Sequence, residues 1–207
     1  MTYDIKKIKE ASKTYVGLVD VLFAVILGQS FALHRSEQGF KPYITQPLEN
    51  AFVVATLLLA YGLVITSWIG YHKSVQAYPV RSPFRFVIDV SLLFLYYFAF
   101  VNISNFEAFI LILFCCFLLY SGWDATRIYE YFDKLKQSKS KWFSHELLKR
   151  LIISIVFAVV FFVTTWTYPL CIGTIGEGTK WAYFALVTFL LILYRYVKRS
   201  FKTAFND

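Results

Sequence analysis

Hydrophobic positions along this chain gather into six long blocks separated by polar segments. The blocks cover about residues 15–33, 51–71, 84–101, 106–123, 151–170 and 181–197. Each approaches the roughly 17–25 residues that a helix needs to cross a bilayer core. Backbone polar groups in lipid must be satisfied internally, which leaves helices or closed barrels. Barrel strands run about ten residues and alternate polar with apolar. These blocks are too long and too uniformly apolar for that. The pattern predicts an all-α, polytopic membrane protein with six transmembrane helices and a single transmembrane domain over 1–207. Asn102, Ser104 and Asn105 are the only turn signal between the third and fourth blocks, so a tight hairpin is expected there.

The polar segments are short. The longest, 124–150, reads as a helical connection. Ile128, Phe132 and Leu135 recur at helical spacing and extend the fourth helix over about 125–135, and 137–141 forms a polar break. Ser144 is placed to cap a new helix starting at His145 and Glu146. The segment 34–50 carries Gly39, Pro42 and Pro47 and is expected to be irregular. Pro169 is expected to end the fifth helix, with a glycine-rich loop over 171–178 after it.

Composition sharpens this picture. Hydrophobic residues make up 58% of the 207 and charged residues only 16%, against about 25% in a soluble domain. Mean hydropathy is +0.55. Basic residues alternate between connections. Eighteen of the 21 precede the first block, follow the second and the fourth, or lie in the tail, and only Arg35, Lys41 and Lys180 fall in the other segments. The positive-inside rule then puts both termini in the cytoplasm, as an even number of spans requires. The net charge of +8 needs no nucleic acid, because basic residues facing an anionic inner leaflet account for it. Aromatic residues near block ends, such as Trp68, Trp123, Trp166 and Trp181, fit interfacial belts. The first block passes into His34 and Arg35 without a clear cleavage site, so it reads as a retained span. A bacterial plasma membrane is favoured over an organelle. Three cysteines do not make a disulfide framework.

Candidate chemistry lies in the few polar residues inside the blocks. Asp20 and Asp89 each sit five residues into a block, about 7–8 Å from its cytoplasmic end. Intramembrane acids are costly and are normally paired or face water. His72, Arg81 and Arg85 share that layer, as do Asp124 and Arg127, so a polar network of Asp20, His72, Asp89 and one arginine is geometrically feasible. On the first helix, Gly17, Ala24, Gly28 and Ala32 form a narrow small-residue face suited to helix packing or to the border of a pore. Gln29 offers an interhelical hydrogen bond or a contact along a conduction path, and Leu22, Val25 and Ile26 offer apolar gate positions. Thr164, Thr165 and Thr167 either line an outer vestibule or bond the helix terminus. No glycine-rich phosphate loop, nucleophile elbow, HExxH or CxxC motif is present, and the three histidines are dispersed. No enzyme activity, cofactor or metal is therefore expected.

The run Leu18-Val19-Asp20-Val21-Leu22-Phe23-Ala24-Val25 resembles the opening of the first helix in the non-canonical potassium channels of lysosomes and bacteria. Those channels carry an Arg, three residues, then Phe-Ser-Asp, followed soon by Phe-Ala. Asp20, Phe23 and Ala24 match. Leu18 and Val19 replace the Phe-Ser pair, and the Arg position falls on Thr14, beside Lys13. Trp68 and His72 are similar to the family's ending of its second helix. The resemblance implies an oligomeric cation channel with six-helix subunits, a pore lined by first helices, and a polar network that organises the cytoplasmic side. Expected partners are thus the lipid bilayer, further copies of the chain and monovalent cations. A small proton-coupled transporter and a non-transporting signalling or effector subunit are the alternatives.

Overall fold

A computed structural model describes residues 5–35, 50–80, 82–137, 141–175 and 178–199. They form six α-helices: α1 Ile5–Arg35, α2 Ala51–Ala77, α3 Pro83–Val101, α4 Phe106–Gln137, α5 Lys141–Ile175 and α6 Gly178–Arg199. Each contains a stretch long and apolar enough to cross a membrane. The protein is an all-α, six-helix, multi-pass membrane protein. Large apolar side chains at its perimeter, among them Phe94, Trp166, Leu170 and Ile192, stand outward where lipid replaces water.

Neighbouring helices follow the order α1, α3, α4, α5, α6, α2 and back to α1, with α2 also touching α3. Within this ring α4 packs most extensively, against α5 and α3. Its Phe109, Ile110, Leu113 and Phe117 are buried. Phe117 stacks on Phe161 of α5 at 4.6 Å and meets Tyr194 of α6 edge-on at 4.7 Å. Lipid tails are as apolar as these side chains, so close packing, and not escape from water, selects the contacting faces.

Local chemistry sets the ends. Ser82 caps α3 by accepting from the Phe84 amide at 3.2 Å, with Pro83 in the first turn, where its missing N–H costs nothing. Residues 102–104 turn the chain between α3 and α4, and Asn105 Oδ1 accepts from the Ala108 amide at 3.2 Å. The long α4 extension holds the α2–α3 connection down. Tyr131 donates to the Pro79 carbonyl at 3.0 Å, and Glu130 accepts from the Ser82 amide at 2.8 Å.

Two expectations about α5 are corrected. Ser144 does not start the helix, which begins at Lys141, and Pro169 does not end it, because α5 continues to Ile175. Membrane helices tolerate an internal proline when nearby side chains and neighbours re-satisfy the backbone. The turns before Pro169 are rich in threonine. Thr164, Thr165 and Thr167 donate to the carbonyls of Val160, Phe161 and Val163 at 2.8, 2.9 and 2.9 Å, so their hydroxyls serve their own helix. The expected irregular loop within 34–50 lies largely outside the described residues, as do Arg81 and most of the 137–141 break.

Candidate functional site

The polar side chains concentrate at one end of the bundle, the end at which α1 begins and α6 finishes. Asp20 of α1 faces α2. Its Oδ1 accepts from Trp68 Nε1 at 2.9 Å and from His72 Nε2 at 2.7 Å. Trp68 and His72 are four residues apart and so present both donors on one face of α2, with their rings edge to face at 5.2 Å. The site is near the surface, with the Asp20 and His72 side chains 36% and 30% exposed.

A second cluster lies under the α2–α3 connection. Arg85 Nη1 donates to the Tyr78 carbonyl at 3.0 Å and to Glu130 Oε2 at 3.2 Å, and both charged groups are buried. The guanidinium lies over Trp123 at 4.2 Å. Arg127, equally buried, lies over Tyr78 at 4.0 Å, and its Nη1 donates to Ser74 at 3.1 Å. These cation–π contacts stand in for the hydration that the guanidinium groups lose. Asp89 accepts from Trp123 Nε1 at 2.9 Å, while its Oδ2 has no hydrogen-bond partner among the described residues. Tyr71 lies within electrostatic reach of Asp20, Asp89 and Arg85. The structure therefore brings Asp20 to His72 and puts Asp89 and Arg85 at the same end, but in a separate set of hydrogen bonds.

Beside the second cluster opens a cavity of about 410 Å³, lined by residues of all six helices. Along α2 its wall runs from Thr66 to Ser74, about 12 Å of helix. Asp124 lies on one side. Ser154 Oγ and Lys198 Nζ donate to its Oδ2 at 2.7 and 2.8 Å, and Arg127 stands 3.9 Å from Oδ1. A string of hydroxyl groups crosses another wall. Tyr96 pairs with Tyr120, Tyr120 pairs with Ser67 at 2.8 Å, and Arg195 donates to Ser67. That string ties α3, α4, α2 and α6 together. It also corrects the reading of the basic charge. Arg85 and Arg127 are buried inside the bundle and Arg195 and Lys198 line its cavity, so these four are not simple surface charges.

The candidates on α1 divide differently. Val19, Phe23 and Ser30 form its packed face, and Leu22 and Ile26 lie half-buried beside it. Gly17, Ala24, Val25, Gly28, Gln29 and Ala32 are exposed. A Cβ added at Gly17 or Gly28 would meet nothing within 4 Å. Asp20 and Gln29 are nine residues apart, which at 100° per residue places them about 180° apart around the helix. One stripe on α1 therefore does not carry both.

Several contributors were not singled out from the sequence: Glu130, Ser154, Ser67, Tyr96 and Tyr120, together with Arg195 and Lys198 as inward-facing groups. One signal was readable. Asp124, Arg127 and Glu130 recur every third residue on α4, as do Arg195 and Lys198 on α6. Among the described residues no group of three or more His, Cys, Asp or Glu could hold a metal ion. No family model, curated protein or solved structure matches the chain.

Proposed function

We propose that the protein is a channel-like transport subunit that works as a homo-oligomer, with α1 bordering a path for monovalent cations such as potassium. The basic bias supports cytoplasmic termini, and the setting in this reading is a bacterial plasma membrane. The observation that carries the reading is Gln29. Its side chain is exposed at membrane depth, has no hydrogen-bond partner among the described residues, and stands beside the open Gly28. An amide left bare in lipid costs about 2 kcal/mol or more, so water or a second copy of the chain should cover it. In this reading Val25 and the half-buried Leu22 and Ile26 narrow the path. Asp20 joins α1 to α2 and positions the lining helix without lining the path itself.

Reconstitution in liposomes tests this. Wild type should pass cations, and Gln29→Leu should change the flux about three- to thirtyfold, the range of one intramembrane hydrogen bond. A Gly28→Cys variant should cross-link between copies. Absence of flux together with absence of cross-linking sinks the proposal.

A proton-coupled carrier is a second reading, favoured by one observation: Asp89, with an unpartnered oxygen, lines the cavity within a single protomer. Uptake driven by a pH gradient and lost in Asp89→Asn would support it over the channel.

A further inference from the structure

The cavity has an unbalanced charge. Lys73, Arg127, Arg195 and Lys198 line it against only two carboxylates, Asp89 and Asp124. Both acids already have donors, Asp89 from Trp123 and Asp124 from Ser154 and Lys198. With these six groups ionised, an excess of two positive charges remains on the wall of an intramembrane space. Like charges gathered in a low-dielectric pocket repel one another, and a bound anion relieves that repulsion.

Arg127 adds direction. It is buried, and its Nη1 is taken by Ser74, with Asp124 nearby. Its Nε and Nη2 have no hydrogen-bond partner among the described residues. Those two nitrogens form the side edge of the guanidinium, which pairs with two oxygens of a phosphate or carboxylate at once. The ammonium groups of Lys73 and Lys198 can serve further oxygens. A phosphate offers more acceptors than a carboxylate and matches this number of donors better.

Volume and lining describe the rest of the ligand. At about 30 Å³ per water, the space equals roughly fourteen waters, far more than a bare oxyanion needs. Its inner part is walled by Phe23, Leu92, Tyr96 and Tyr120, which suits an apolar or planar body. We propose that this cavity binds a phosphate monoester carried on an apolar body, with Arg127 pairing the phosphate and Arg195, Lys198 and Lys73 completing its shell. The headgroup of an anionic lipid and a soluble organic phosphate share this chemistry. The site goes beyond both readings of transport, and its test reads binding without flux.

The full chain is placed in nanodiscs of phosphatidylcholine alone and titrated with phenyl phosphate, following thermal stability and heat of binding. In parallel, discs containing phosphatidate are opened and the lipid retained by the protein is identified by native mass spectrometry. Binding in the first arm identifies a soluble phosphate, retention in the second identifies a lipid headgroup, and either supports the site. Arg127→Gln should weaken binding about tenfold or more, the scale of one charged hydrogen bond. Because Arg127 is buried, Arg195→Gln and the exposed Lys73→Gln are measured beside it, and each should weaken binding severalfold. The proposal is overturned if wild type binds neither probe, or if the folded variants bind as wild type does.

Discussion

Asp20 and Asp124 are the same residue type at the same end of the bundle, yet they lie in opposite environments. Asp20 is over a third exposed and is held by a tryptophan and a histidine. Asp124 is buried and is held by Lys198, Ser154 and the nearby Arg127. Asp20 is on α1, a helix with one packed face, whereas Asp124 is on α4, which packs most extensively against its neighbours α5 and α3. Distance along a span does not separate them. What separates them is how many helices surround the carboxylate, and that decides whether its charge is solvated or must be neutralised by neighbours.

Unfolding measured in detergent micelles provides ways to break this contrast. Asp124→Ala should have the largest effect, about 3–5 kcal/mol, because it strands Lys198 and Arg127 beside one another without a counter-charge. Asp124→Asn keeps the shape and a hydrogen-bond acceptor but loses the charge, and should cost about 1.5–3 kcal/mol. Asp20→Asn should cost no more than about 1 kcal/mol, since the amide oxygen still accepts from Trp68 and the carboxylate is only partly buried. Trp68→Phe should be smallest, about 0.6 kcal/mol, for one interhelical hydrogen bond. If the two Asn variants lose equal stability, the difference in burial does not govern the two sites.

Legibility in the sequence followed the same division. The Asp20–His72 contact was within reach because Trp68 and His72 share a helix face and sit at a matching depth. The Asn102–Asn105 turn was readable because turn chemistry is local. Sequence alone leaves Lys198 a membrane-facing cation because its partner is 74 positions away. Glu130 was passed over because its value comes from Arg85 on another helix. Pro169 lies inside α5 and does not end it, because membrane helices tolerate an internal proline that local sequence rules treat as a stop.

The amino-acid order by itself determined six membrane-length helices and the grouping of basic residues on one side. Those properties depend on length, apolarity and charge along a line. Tertiary structure alone decided which faces meet, and so which charges became a cavity wall and which remained at the surface. The physical reason is that every apolar face suits lipid about as well as it suits another helix. Hydropathy therefore says that a helix crosses, while side-chain shape and the need to pair buried charge decide what it crosses beside.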